Sequence, residues 1–206
     1  LRDLGKASRF VEYYYNNGAD EILYYDAVAS LYGRNSLNNF IKEVSKNVFV
    51  PIIVTGGIRS IKDIELVLKS GADKVGINSA AIKNPKLIKE ASKEFGSSTI
   101  IVSIEAKKIS EGKYNAFIDC GRDDSGKNVI EWIEIAQSNG AGEILVTSID
   151  NDGCGNGYEE NLIEQVHNIC KVPLIYSGGI NSLKNLKDIT KFKIDAIAIG
   201  AALHYN

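Results

Sequence analysis

The chain is poor in the residues that mark several large functional classes. Cysteine occurs only at Cys120, Cys154 and Cys170, and histidine only at His167 and His204. An odd number of cysteines without metal spacing, and two distant histidines, argue against a zinc site. They read instead as free thiols of a reducing, cytoplasmic setting. Apolar runs are strand-length at most, as from Val50 to Val54, far short of the roughly 18 residues of a membrane span. No signal-peptide pattern opens the chain. Basic charge is not concentrated: 24 Lys and Arg stand against 26 Asp and Glu, a net charge of −2. There is no basic stripe interleaved with aromatics, so nucleic acid is not an expected partner. No cofactor, metal or membrane partner is expected. At 206 residues the chain is long enough for one substantial domain with a real core.

What is present is a repetition. Val50-Pro51-Ile52-Ile53-Val54-Thr55-Gly56-Gly57-Ile58 returns 122 positions later as Val172-Pro173-Leu174-Ile175-Tyr176-Ser177-Gly178-Gly179-Ile180. The same offset carries Gly18-Ala19-Asp20-Glu21-Ile22-Leu23 onto Gly140-Ala141-Gly142-Glu143-Ile144-Leu145, and Asp73 onto Asp195. Three segments in one register describe a duplicated half-domain, not a solenoid of short units. A duplicated half presents two related sites and suggests a substrate with two similar ends.

Ile- and Val-rich runs alternate with amphipathic segments. Strands are expected at Ile22 to Tyr25, Val50 to Val54, Lys74 to Asn78, Thr99 to Ile104, Ile144 to Ser148, Pro173 to Ser177 and Ala196 to Ile199. They lack polar alternation, as parallel strands covered on both faces do. Between them, Ile61, Ile64, Val67 and Leu68 share one helical face, with Ser60 as N-cap and Gly71 as stop. Leu87, Ile88 and Ala91 form a second such face, and Ile130, Trp132, Ile133 and Ala136 a third. The alternation predicts a parallel α/β fold. Seven strands are visible and the duplication implies eight. The expected architecture is therefore a (β/α)8 TIM barrel of two duplicated half-barrels, one domain over residues 1–206, with its first strand and last helix outside this chain.

In such barrels the reactive groups stand at the C-terminal ends of the strands. Gly178-Gly179 and Gly200-Ala201 end two successive strands before helix N-termini. Bare amides and the helix dipole there favour an oxyanion. The duplication puts a second cradle at Gly56-Gly57 with Asn78-Ser79. Two symmetric cradles predict a substrate phosphorylated at both ends, although tight βα turns need glycine in any case. Asp26, Glu105, Asp150 and Asp152 follow strands and are the acid/base candidates. Glu105, after a five-residue apolar-rich run, leads them. The plain alternative for each is a helix cap or a bond to a loop amide, and Asp152-Gly153 also suits a simple turn. Glu21, Lys74 and Glu143 open strands on the opposite end, where charge ordinarily serves stability as a salt-bridged floor.

These residues carry a resemblance. Gly56-Gly57-Ile58-Arg59-Ser60, Gly71-Ala72-Asp73-Lys74-Val75-Gly76-Ile77-Asn78-Ser79-Ala80-Ala81 with Asn84-Pro85, and Gly140 to Asp150 with Ser177-Gly178-Gly179 resemble the cyclase subunit of imidazole glycerol phosphate synthase, from Leu1 to Tyr205. The segment from Ser103 to Lys108 resembles this cyclase more than the sister isomerase of histidine synthesis. The resemblance implies a lyase that joins ammonia to a two-phosphate ribulosyl formimino aminoimidazole carboxamide nucleotide. The products would be imidazole glycerol phosphate and an aminoimidazole carboxamide ribotide. It implies a glutaminase subunit, as a heterodimer, docked at the barrel floor. Glu21, Lys74 and Glu143 then become the charged ring of the ammonia entrance. The family's two catalytic aspartates would fall on the missing first strand and on Glu105, which is Glu here, with Asp152 assisting and Asp26 and Thr147 matching. Thr55, Asn151 and Cys154 also depart from the usual Gly, Arg and Thr.

Those departures keep a second reading open: a cyclase-like barrel serving as an ammonia conduit between a glutaminase and a sugar amidotransferase in amidino-sugar synthesis. The intact cradles favour the cyclase; Glu105 and Cys154 favour the conduit.

Overall fold

The computed structural model describes residues 5–26 and 37–204. They fall into two compact units, one ending at Gly76 and one beginning at Ile77.

In the first unit the helix α1 (Ala7–Asn16) leads to the strand β1 (Ile22–Tyr25), α2 (Leu37–Val44), β2 (Ile52–Thr55), α3 (Ile61–Lys69) and β3 (Lys74–Ile77). The strands pair in parallel, Leu23 opposite Ile53 and Ile53 opposite Lys74. All of β2 is buried, which is why it shows no polar alternation. Helix α3 begins where Ser60 predicts. The Ser60 hydroxyl accepts from the Asp63 amide at 3.2 Å, and Asp63 Oδ2 accepts in return from the Arg59 amide at 3.0 Å. This reciprocal cap satisfies donors that a helix start leaves open. The helix buries Ile64 and Val67, each worth roughly 1.5–3 kcal/mol on burial.

In the second unit α4 (Ser79–Lys83) and α5 (Lys86–Phe95) precede β4 (Ile100–Ser110), β5 (Lys113–Ile118), β6 (Asp123–Asn128), α6 (Val129–Ser138), β7 (Glu143–Ser148), α7 (Glu160–Ile169), β8 (Leu174–Ser177), α8 (Leu183–Ile189), β9 (Ala196–Ala198) and α9 (Ala201–His204). Strands β4, β7, β8 and β9 are parallel neighbours in that order. Leu87, Ile88 and Ala91 of α5 are buried, and so are Trp132, Ile133 and Ala136 of α6.

The duplication is visible bond by bond. Asp73 Oδ2 accepts from the Ile52 amide, and Asp195 Oδ2 from the Leu174 amide, both at 2.8 Å. Ser182 caps α8 through the Asn185 amide at 3.2 Å, as Ser60 caps α3. Gly56 and Gly178 take φ of 99° and 108°. A Cβ on Gly56 would meet the Asp26 carbonyl oxygen at 2.3 Å, and one on Gly178 the Ser148 carbonyl oxygen at 2.7 Å. Asp26 and Ser148 are themselves repeat equivalents. A glycine is required at both turns because the preceding strand end occupies the space of a side chain.

Two expectations need correction. The strand containing Glu105 does not stop at Ile104: β4 runs to Ser110. It pairs with β7 only from Ile101 to Ala106, and then continues as a hairpin with β5. The antiparallel β5 and β6 were not anticipated. β5 buries Tyr114, Ala116 and Phe117 and pairs with the β4 extension; β6, rich in Asp, Lys and Asn, pairs in turn with β5. Among the described residues no helix is long and apolar enough to cross a membrane, and Cys120, Cys154 and Cys170 form no disulfide.

Candidate functional site

Strand register sorts the side chains of the second unit onto two faces, because neighbours in register share a face and alternate along each strand. One row reads Ile104, Val146, Tyr176 and Ile197. Tyr176 is fully buried, and its phenol oxygen accepts from the Glu159 amide at the start of α7, so this face meets the helices. The opposite face carries Ile101 beside Glu143, then Ser103 beside Leu145, Ile175 and Ala196. Its last row is Glu105 beside Thr147, Ser177 and Ala198. Glu105 thus lies in the last row of this face, 6% exposed, side by side with Thr147. Glu143 stands on the same face four residues before Thr147, about 13 Å along the strand. One face thus carries Glu143 near its start and Glu105 near its end, with Ser103, Thr147 and Ser177 among the apolar residues between and beside them.

The glycine turns after β8 and β9 line one cleft of about 210 Å³, with Asp152, Cys154, Gly178, Gly179, Gly200 and Ala201 on its walls. That is smaller than the roughly 300–1,000 Å³ of a complete small-molecule site, and suits one end group of a longer ligand. Gly179 has φ of 84°, and a Cβ there would fall 1.9 Å from the Gly157 carbonyl oxygen. The turn therefore needs glycine for its contact with the 149–157 loop, independently of any ligand. Gly200 differs: a Cβ there would meet nothing within 4 Å.

Asp152 is exposed at the rim of the cleft that it lines, with part of its surface desolvated. Burial pushes its carboxyl up from the ordinary carboxylate range, against a lowering contribution from the Gly153 amide. A carboxyl that retains its proton more readily is suited to proton donation and repels a neighbouring anion less. Asp150 takes the plainer role: its Oδ2 accepts from the Lys108 amide at 2.8 Å and steadies the β4 extension.

The other predicted cradle residues are placed as follows. Gly56 and Gly57 follow β2, both at positive φ, and the Asp26 amide donates to the Thr55 carbonyl at 2.9 Å. In the second unit Asn78 Nδ2 donates to the Phe117 carbonyl at 3.2 Å and the Ser79 hydroxyl accepts from the Asp119 amide at 2.9 Å. Those two side chains hold the turn between β5 and β6. The α4 backbone amides, not the Asn78 and Ser79 side-chain groups, are what such a cradle would offer. At the strand starts of the first unit, Lys74 Nζ meets Glu21 Oε1 at 2.9 Å, both partly buried.

Sequence reasoning missed the groups that brace the loops. Tyr114 is buried, and its hydroxyl donates to Glu159 at 2.8 Å. Burial and this bond push its phenol well above the usual range. Tyr176 is pushed up to about 12, first by burial. A polar group inside an apolar strand run was the available signal in Tyr176; Tyr114 sits in a lysine-rich segment that gave none.

A family model described as "Histidine biosynthesis protein" matches residues 1–206. Three relatives bear the name "Imidazole glycerol phosphate synthase subunit HisF". The protein of Legionella pneumophila is 46% identical over 184 residues, 89% of this chain and 87% of its own length. That of Helicobacter hepaticus is 44% identical over 205 residues, 100% of this chain and 81% of its own. That of Oceanobacillus iheyensis is 41% identical over 206 residues, again 100% and 81%.

Proposed function

We propose a residue-level account of a chain that belongs to the histidine biosynthesis protein family. Its fold class is the α/β TIM barrel of that family, and its activity is that of the imidazole glycerol phosphate synthase cyclase subunit, a lyase of histidine biosynthesis. The observation that carries this is 41–46% identity to proteins of that name across almost the whole chain. The ammonia-conduit alternative is not favoured by such relatives.

On this reading Glu105 is one of the acid/base carboxylates, in the last row of the sheet face with Thr147 beside it. Buried carboxylates on rigid strands hold their orientation, and a displacement of about 1 Å can cost a factor of 100 in rate. β4 continues past Glu105 and pairs there with both β5 and β7, so the backbone does not fray at the reacting position. Asp152, on the wall of the cleft, assists from the loop. The amides of Gly178, Gly179, Gly200 and Ala201 take one phosphate of a bisphosphate substrate. Within the first unit the turn of Gly56 and Gly57, with Asp26 at the neighbouring strand end, is a second candidate for phosphate, and within the second unit the turn of Asn78 and Ser79 is another.

Ammonia would come from a glutaminase subunit at the strand-start end, past Glu21, Lys74 and Glu143. What supports this is their position on strand starts and the placement of Glu143 on the same sheet face as Thr147.

The test is ammonia-dependent turnover of the bisphosphate nucleotide by the full-length protein, without glutaminase. Turnover of roughly 1 per second or more, abolished by Glu105→Gln with the melting temperature retained, is expected. A folded wild-type protein without turnover would return the conduit reading to first place. Retained activity in the variant would remove Glu105 from the mechanism.

A further inference from the structure

We infer that Asn151 is a positioning residue: its carboxamide staples the 149–157 loop so that Asp152 and the Gly179 turn face each other across the cleft and hold the anionic end of the substrate. The inference rests on the cyclase reading of that cleft.

The loop's own backbone bonds close only its first turn, the Asp152 amide donating to the Ser148 carbonyl at 2.9 Å and the Cys154 amide to the Asn151 carbonyl at 3.1 Å. Gly153, Gly155 and Gly157 take φ of 70°, 68° and 90°, and glycines lose the most conformational freedom on ordering. Asp152, Gly153 and Cys154 are exposed and contribute little burial. Order is supplied by polar bonds at the two ends of the loop. The hydroxyl of buried Ser148, the last residue of β7, donates to Asn151 Oδ1 at 3.2 Å. Asn151 Nδ2 donates to the Gly157 carbonyl at 2.7 Å. The Gly157 amide then donates to the Gly179 carbonyl at 3.0 Å. Asn181, two residues after Gly179, donates to the Gly155 carbonyl.

One short, flat amide thereby joins the end of β7 to the far side of its own loop, and through Gly157 to the turn after β8. Few side chains can do this. The position needs an acceptor for Ser148 and a donor for Gly157 on one short stem, and Asn has both. Asp lacks the donor; Lys and Arg lack the acceptor. The fit is close: a Cβ on Gly179 would come within 3.0 Å of Asn151 Cβ. Asp152 follows Asn151 directly and lines the same cleft as Gly178 and Gly179, so an anchor at Asn151 fixes the backbone from which that carboxyl extends.

The experiment compares the full-length protein with Asn151→Ala, Asn151→Asp and Asn151→Gln. The measurements are kcat and KM for the bisphosphate nucleotide with ammonia, the melting temperature, and hydrogen exchange of the peptide spanning the loop. In Asn151→Ala, exchange in the loop is expected to accelerate and KM to rise about tenfold, with the melting temperature within about 2 °C of wild type. A tenfold change corresponds to about 1.4 kcal/mol. Asn151→Asp should show the same defect with a larger KM, since it adds an anion. Asn151→Gln, which keeps donor and acceptor, should recover part of the loss.

Faster exchange with unchanged KM would overturn the inference, because the loop would then be loose without consequence for the site. Unchanged exchange would overturn it as well. An inactive wild-type protein would instead sink the cyclase reading, and the staple would then be decided by the exchange rates alone.

Discussion

Replacing Gly200 separates ligand binding at the cleft from the integrity of its walls. At Gly179 the two are inseparable: an added Cβ overlaps the Gly157 carbonyl oxygen at 1.9 Å, and φ of 84° costs a side-chain-bearing residue roughly 1–2 kcal/mol. At about 2–4 °C per kcal/mol for a domain of this size, Gly179→Ala should melt roughly 2–8 °C lower, with the overlap adding to that. Loss of activity in that variant would say nothing specific about phosphate. At Gly200 the added methyl meets no protein atom within 4 Å and stands on the wall of the cleft. A phosphate held by the turn amides would be pushed off at least one of them. A hydrogen bond to a charged acceptor contributes about 1.5–3 kcal/mol, so KM should rise roughly 10- to 150-fold. The assay is steady-state kinetics with ammonia and the bisphosphate nucleotide, beside thermal melting, for Gly200→Ala and Gly200→Val. The expected result is a KM that climbs with side-chain size while the melting temperature stays within about 2 °C. Unchanged KM in both variants would refute the assignment of the β9 turn to phosphate. A Gly179→Ala protein as stable as wild type would refute the steric reasoning.

Other outcomes follow from the same geometry. Tyr176 is raised from its ordinary 10.0 to about 12. The folded state therefore keeps a proton that the unfolded chain has lost, and its contribution is present below pH 10 and lost as pH rises through about 12. Two pH units correspond to about 2.7 kcal/mol, so the wild type should lose stability across that window in denaturant titrations, and Tyr176→Phe should flatten the loss. A wild-type curve with no decline between pH 10 and 12 would count against it. Asp73→Ala and Asp195→Ala remove equivalent 2.8 Å bonds to backbone amides. Each removes a charged acceptor and should cost about 1.5–3 kcal/mol, near-equal in denaturant melts. A large inequality would show that the repeated bond does different work in the two copies.

How much of this was legible beforehand varies with the kind of interaction. The seven parallel strands and the caps at Ser60 and Ser182 follow from short-range rules. β-branched runs, a hydroxyl three residues before an acceptor-bearing side chain, and a glycine where backbone crowds are all local. The placement of Glu105 was half legible. Its apolar approach marked the face, but the β4 extension that keeps it within a strand depends on pairing with β5, which is backed in turn by β6, a polar segment without strand signal of its own. Asn78 and Ser79 were readable as a strand-to-helix junction. That their side chains serve the β5–β6 turn was not, because the partners Phe117 and Asp119 lie 39 and 40 positions away.

The amino-acid sequence by itself determined the duplication, the parallel α/β order and the family, since each is a property of local pattern repeated in register. Tertiary structure decided which glycines serve the backbone and which leave open space, and which aspartate holds a strand and which faces the cleft. It also decided that a single asparagine ties a glycine-rich loop to the turn beside it. Those outcomes depend on distances between atoms far apart in the chain, and on solvation set by the surrounding walls, neither of which is encoded in any one segment.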